Sequence, residues 1–152
     1  MDDDPKFLDT SGWIALLNSA DRLHGRAVAA YRRIVRRRLI LVVTDWIIAE
    51  TGNGLSRNRA RASFAQAVRL LSKSPEFRVI KVDEGLLMQA IELYEGRPDK
   101  AWGLVDCASF IVMEREGIRE ALTHDHHFEQ AGFRRLLSGP EGGTGAPNGP
   151  IP

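Results

Sequence analysis

The sequence has a single cysteine, no long hydrophobic run and almost no net charge. One cysteine, Cys107, excludes an intramolecular disulfide and is typical of a reducing compartment. No apolar run approaches the roughly 18 residues that span a bilayer, and no secretion signal is recognisable, so we expect a cytoplasmic protein with no membrane partner. With 21 basic and 20 acidic side chains, the overall charge does not point to nucleic acid or membrane.

Short apolar segments alternate with amphipathic ones along most of the chain. Strands are expected at residues 6–8, 39–43, 77–80 and 120–123, with an edge strand within 133–136. Helices are expected at residues 10–17, 22–37, 46–51, 59–71, 84–94 and 101–113. This alternation predicts an α/β fold, a three-layer α/β/α sandwich around a mainly parallel sheet. Residues 1–137 are expected to form one domain, and the Gly- and Pro-rich residues 138–152 a disordered tail.

The expected helix at 101–113 is apolar on nearly every side, yet it contains Asp106. An ionised carboxylate in such surroundings needs a partner, a hydrogen-bond donor or a cation. Asp99 precedes Asp106 by about two helical turns, so it reaches the same face only if the helix extends back that far.

Three further acids follow expected strands. Asp9 follows the first strand, Glu50 lies in the helix after the second, and Asp125 follows the fourth. In parallel sheets, ligands bind beyond the carboxyl ends of the strands, so these acids and Asp106 are expected to converge. Clustered carboxylates repel one another unless a hard divalent ion such as Mg²⁺ or Mn²⁺ lies between them. Such a site suits metal-assisted attack of water on a phosphodiester.

Taken together, the acidic motifs resemble those of PIN-domain ribonucleases, and most of all the VapC toxins of toxin–antitoxin pairs. The resemblance spans residues 7–137, and its force lies in the ordered set of motifs. The motifs are Phe7-Leu-Asp9-Thr-Ser11, Trp46-Ile-Ile-Ala-Glu50-Thr, Asp99 with Asp106-Cys-Ala-Ser-Phe, and Thr123-His-Asp125-His-His-Phe128.

This resemblance implies a Mg²⁺- or Mn²⁺-dependent endoribonuclease that cuts RNA, forms a homodimer and is blocked by a cognate antitoxin. It also implies that Asp9, Glu50, Asp106 and Asp125 are catalytic and hold the metal, and that Asp99 is an additional acid near it. Gly103 and Val105 depart from the pattern, because many relatives carry Ser and Thr there.

Four hydroxyl side chains are candidates for supporting the carboxylates. Thr10 and Ser11 are expected to cap the first helix, to orient Asp9, or to do both. Ser109 lies on the same helical face as Asp106, where it either hydrogen-bonds a carboxylate or serves helix packing. Thr123 belongs to the last motif.

Basic side chains flank the acids, as an acidic site that binds a polyanion requires. Arg57, Arg59, Arg61 and His124 are the candidate RNA contacts, with a solvated helix face as the alternative for the arginines. His126 and His127 suggest zinc together with His124, but the sequence shows no further ligands at the spacing of a structural zinc site. Two rival functions stay open: a catalytically weak or inactive protein-interaction module, and a DNase or phosphatase that uses the same acidic metal site.

Overall fold

The computed structural model of the protein describes residues 3–139. Its five strands form one sheet in the order β3-β2-β1-β4-β5, and every neighbouring pair is parallel. The strands are β1 (Lys6–Leu8), β2 (Leu41–Thr44), β3 (Phe77–Ile80), β4 (Glu120–Leu122) and β5 (Arg134–Arg135).

Seven helices cover the sheet in the described chain. They are α1 (Thr10–Leu17), α2 (His24–Arg36), α3 (Asp45–Gly54), α4 (Arg61–Leu71), α5 (Glu84–Gly96), α6 (Leu104–Glu116) and α7 (His127–Gln130). Helices α1 to α4 form one group, in which α1 packs against α2 and α3, and α4 packs against α3. Helices α5, α6 and α7 form a second group. The three-layer α/β/α prediction is confirmed.

The strand order creates a topological switch point. From β1 the chain adds β2 and β3 on one side, and then returns to add β4 and β5 on the other side. Loops that leave the carboxyl ends of β1 and β4 therefore diverge and leave a crevice between them, which is where parallel α/β sheets bind ligands.

Several predicted boundaries were wrong by two or three residues. The second helix begins at His24, because Asp21 uses its carboxylate in a turn that accepts the amide of Leu23 at 2.8 Å. The central helix begins at Leu104 rather than at residue 101, so Asp99 lies outside it. The short helix α7 was not predicted.

Close packing places α1 directly on β4. A Cβ atom added to Gly12 would lie 1.9 Å from the carbonyl oxygen of Leu122, so only glycine allows this approach. Cys107 is fully buried beside Ala108 and Met113, as expected of a small core residue. Among residues 3–139, no helix has the length and apolar character needed to cross a bilayer.

Candidate active site

The crevice at the switch point contains three carboxylates from three separate segments. Asp9 immediately follows β1, Asp125 follows β4 by three residues, and Asp106 lies in the first turn of α6. The three are close enough to interact, because the charge of Asp106 raises the pKa of Asp9 and the charge of Asp125 raises the pKa of Asp106. The structure thus brings together three of the four acids expected to bind metal, at the predicted edge of the sheet.

Asp9 is the most buried of these acids, with 5% of its surface exposed. Burial raises its pKa to about 6, and the charge of Asp106 also raises it, although hydrogen bonds from Thr123 and Ser11 lower it. Both hydroxyls donate to the same oxygen, Oδ2, at 2.7 Å from Thr123 and 3.0 Å from Ser11. Asp9 therefore has a fixed orientation but an incompletely compensated charge.

The same two hydroxyls connect the β1 and β4 loops. The Thr123 hydroxyl accepts the backbone amide of Asp125 at 3.0 Å, and the Ser11 hydroxyl accepts the amide of His124 at 3.0 Å. Although Ser11 lies at the start of α1, its hydroxyl is occupied by Asp9 and His124, so the structure favours the orienting role over helix capping. These hydrogen bonds fix the Asp9 carboxylate relative to the backbone of His124 and Asp125.

Asp106 is held by the amino end of its own helix. Its Oδ2 accepts the backbone amide of Gly103 at 2.9 Å, an interaction that needs no side chain at position 103. Burial raises the pKa of Asp106, the Gly103 amide lowers it, and the charge of Asp125 raises it. The Asp106 side chain stays 18% exposed, which leaves it accessible from the crevice.

Glu50 reaches the amino end of α1 from the neighbouring helix α3. The hydroxyl of Thr10, the residue after Asp9, donates to its Oε1 at 2.5 Å, and the Thr51 hydroxyl lies 3.5 Å from Thr10. The hydroxyl of Thr10 therefore orients Glu50, whereas its backbone hydrogen-bonds Asp9. This contact places Glu50 beside the crevice, on the side of β1 from which α1 starts.

Asp99 lies in a turn before α6, and its charge is already compensated. Both oxygens accept hydrogen bonds of 2.9 Å from Arg97, and its side chain is 58% exposed. This pairing lowers the pKa of Asp99 to about 2. The Arg97 guanidinium in turn stacks 5.0 Å from the ring of Trp102. The helix begins at Leu104, so the condition under which Asp99 would share a helical face with Asp106 is not met. A metal role for Asp99 stays a prediction.

Ser109 does not support a carboxylate. It is fully buried, and its hydroxyl donates to the carbonyl oxygen of Val105 at 2.8 Å, one turn earlier in α6. Of the two roles left open by the sequence, helix packing is the one that the structure supports, since the backbone contact satisfies the hydroxyl.

The candidate RNA contacts lie on two segments, of which the arginine segment lies near the carboxyl end of α1. Arg57 and Arg59 are exposed in the loop after α3, where they line a groove with Asn18 and Ser19 at the end of α1. Arg61 begins α4, and its guanidinium donates to the carbonyl of Ser56 at 3.2 Å. On the other segment, the His124 ring nitrogen Nδ1 lies 2.9 Å from the Leu137 carbonyl, so that ring edge is occupied.

Sequence reasoning missed His127. Its Nδ1 lies 3.3 Å from Oδ2 of Asp106 and 3.4 Å from Oδ1 of Asp125, so the imidazole lies between the two acids. Asp125, His126 and His127 each offer a donor atom within 4.8 Å of the others. This group has three members and does not include His124, so the expectation that the histidines lack the partners of a structural zinc site stays a prediction. The position of His127 two residues after Asp125, in a loop at the carboxyl end of a strand, is the signal that was available.

The donor set fits a divalent cation. Carboxylate oxygens of Asp9, Asp106 and Asp125 lie in one crevice, and burial raises the pKa values of Asp9 and Asp106. A cation between them would stabilise the ionised forms that burial disfavours. Such oxygen-rich sites are typical of Mg²⁺ and Mn²⁺.

Comparison with known proteins agrees with this geometry. The PIN domain family model matches residues 6–134. The 23S rRNA-specific endonuclease VapC20 of Mycobacterium tuberculosis, in strains CDC 1551 / Oshkosh and ATCC 25618 / H37Rv, is 34% identical over 129 residues, which cover 84% of this chain and 94% of that protein. The crystal structure of Mycobacterium tuberculosis VapC20, a sarcin-ricin loop cleaving toxin, matches with a TM-score of 0.72 at 30% identity, covering 84% of this chain and 95% of that one.

Proposed function

The chain belongs to the PIN domain family, and on that basis we propose that it is a metal-dependent endoribonuclease, the toxin of a toxin–antitoxin pair. The observation that carries the proposal is the convergence of Asp9, Asp106 and Asp125 at the switch point of the sheet, with two of their pKa values raised by burial. The reaction is hydrolysis of an RNA phosphodiester bond.

In this proposal Asp9, Asp106, Asp125 and Glu50 hold Mg²⁺ or Mn²⁺. When bound, the ion makes water a stronger nucleophile and stabilises the negative charge that develops on the phosphate. The chain's own contribution is orientation. Ser11 and Thr123 fix Asp9, Thr10 fixes Glu50, and the Gly103 amide fixes Asp106.

The substrate proposal rests on the basic loop and on the relative. Arg57 and Arg59 are exposed beside the helix that carries Glu50, so their charges are available to RNA phosphates. Because VapC20 is a 23S rRNA-specific endonuclease, a structured ribosomal RNA loop is the first substrate to test. Arg61 and His124 belong to the same proposed RNA-binding surface.

The proposal extends to the setting of the enzyme. We expect a homodimer in the cytoplasm and a cognate antitoxin that covers the acidic crevice. The division into a nuclease domain at residues 1–137 and a tail at 138–152 is also proposed. Residues 140–152 of that tail lie outside the described residues.

The test is cleavage by purified, antitoxin-free protein. The RNA panel includes a 23S rRNA fragment with the sarcin-ricin loop, and each reaction contains Mg²⁺, Mn²⁺ or EDTA. DNA and a phosphomonoester are included as competing substrates. Asp106→Asn is compared with Glu92→Gln, which removes one exposed acid from α5.

We expect RNA cleavage that requires the metal and Asp106 and that Glu92→Gln leaves unchanged. Cleavage that persists in EDTA or in folded Asp106→Asn protein would contradict the proposal. Preferential hydrolysis of DNA or of the phosphomonoester would reassign the substrate. Stable partner binding without any cleavage would favour an interaction module.

A further inference from the structure

His127 occupies a position that the proposed mechanism does not use. Its side chain is 19% exposed, and its Nδ1 lies between Oδ2 of Asp106 at 3.3 Å and Oδ1 of Asp125 at 3.4 Å. The backbone amide of His127 also donates to Oδ1 of Asp125 at 2.9 Å. The start of α7 thus holds an imidazole nitrogen against two acids that are proposed to bind metal.

The two distances from Nδ1 are close to those between neighbouring ligands around one ion. In an octahedral site with ligands about 2.1 Å from the metal, adjacent ligand atoms lie about 3 Å apart. The distances from Nδ1 to the Asp106 and Asp125 oxygens exceed this value by only a few tenths of an ångström. Asp106 is not part of the group whose donor atoms all lie within 4.8 Å of one another, so its oxygen and that of Asp125 must move closer together for all three atoms to bind a common ion.

We propose that Nδ1 of His127 is a direct ligand of the ion held by Asp106 and Asp125, and that it makes this site prefer a transition-metal ion such as Mn²⁺ over Mg²⁺. The inference rests on the proposed function. Mg²⁺ is bound through oxygen ligands and retained water, whereas imidazole is a ligand for first-row transition metals. As a ligand, His127 is neutral and carries its remaining ring proton on Nε2.

His126 is the matched control within the same cluster. Its side chain is 66% exposed, and its Nδ1 lies 3.7 Å from Asp125 alone. The two imidazole rings are neighbours, with centroids 4.5 Å apart. Replacing either histidine therefore changes the same surface, but only His127 lies between two carboxylates.

The experiment measures metal binding directly, without RNA. Mn²⁺ and Mg²⁺ affinities are determined by calorimetry at one fixed pH for the wild type, His127→Gln and His126→Gln. Pulsed EPR of the Mn²⁺-loaded protein then detects nitrogen bound to the ion. Wild-type protein labelled with ¹⁵N only in histidine assigns that nitrogen to a histidine without any mutation.

We expect a histidine nitrogen coupling in the wild type and in His126→Gln, and its loss in His127→Gln. Mn²⁺ affinity should fall about tenfold in His127→Gln, while Mg²⁺ affinity changes less than about twofold. Wild-type protein that binds Mn²⁺ without a histidine nitrogen coupling would overturn the inference. Equal weakening of both ions would also overturn it, because His127 would then only orient Asp106.

These results separate the inference from the proposed function. A histidine nitrogen bound to Mn²⁺ in a protein that cleaves no RNA would support the ligand assignment and contradict the nuclease. Wild-type protein that cleaves RNA in a metal-dependent way but shows no histidine nitrogen coupling would support the nuclease and contradict the ligand assignment.

Discussion

Charged side chains occupy both ends of the sheet, but they are compensated in different ways. At the amino end, Lys6 in β1 pairs with Glu120 in β4 at 2.9 Å, and Glu120 also pairs with Arg134 in β5 at 3.0 Å. At the carboxyl end, Asp9 and Asp106 have raised pKa values because burial disfavours their charge. The charges at the amino end pair with one another within the chain, whereas a bound cation would stabilise the charges of the buried acids at the carboxyl end.

The largest expected effect is on catalysis at the carboxyl end. Asp9→Asn should reduce RNA cleavage roughly 1,000-fold, because losing a metal ligand removes several kcal/mol of transition-state stabilisation. The measurement is single-turnover cleavage at saturating metal. Glu120→Gln, at the opposite end, serves as the comparison and should retain wild-type cleavage per folded molecule.

Asp9→Asn should also stabilise the metal-free protein. The pKa of Asp9 is about 6 in the folded state, against an ordinary value of 3.8, so the folded state binds more protons between these pH values. The free energy of unfolding should therefore fall as pH rises from about 4 to 6, by on the order of 3 kcal/mol at most.

Urea unfolding in EDTA across this pH range measures that dependence. Asp9→Asn should flatten the curve, and saturating Mn²⁺ should raise wild-type stability at pH 7. A wild-type curve that rises over the same interval would show that the Asp9 charge is already compensated without metal.

Breaking the amino-end network should affect stability instead. Glu120→Ala removes the carboxylate that pairs with Lys6, which is 3% exposed, and breaking a buried ion pair costs about 3 kcal/mol. Urea unfolding at pH 7 checks this value. A loss of cleavage per folded molecule comparable to that of Asp9→Asn would mean that the two ends are not functionally separate.

An intermediate effect is expected for the hydroxyl that orients Asp9. Thr123→Val removes the donor to Asp9 and the acceptor for the Asp125 amide, so metal affinity should fall about 10- to 100-fold. Ser109→Ala is the control, because that buried hydroxyl contacts only helix backbone. Calorimetric titration with Mn²⁺ compares the two variants, and equal losses would refute the orienting role of Thr123.

The smallest effect is expected for Asp99→Asn. Its carboxylate is exposed and held by Arg97, so metal affinity should change less than about twofold. Metal titration of this variant beside Asp106→Asn provides the check. A loss similar to that of Asp106→Asn would restore Asp99 to the metal site.

Much of the site could be predicted because its residues follow strands that are recognisable in the sequence as short apolar segments. Asp9 and Asp125 follow β1 and β4 and meet at the edge where parallel strands end, as expected. Asp106 was recognisable as an acid in a helix whose neighbours are buried. Asp99 was harder to place, because the helix start and the competing Arg97 pair depend on the local turn before Leu104.

The sequence by itself determined the α/β class, the strand segments and the acids that follow them. These features depend on hydrophobic periodicity and on residues that are close together in the sequence. Tertiary structure alone decided which partner each polar group found. Thr10 contacts Glu50, Ser109 contacts its own helix, and His127 lies between Asp106 and Asp125. The contacts of Thr10 with Glu50 and of His127 with Asp106 join segments far apart in sequence, and hydrogen bonds form only over a narrow range of distances, so the sequence alone did not reveal them.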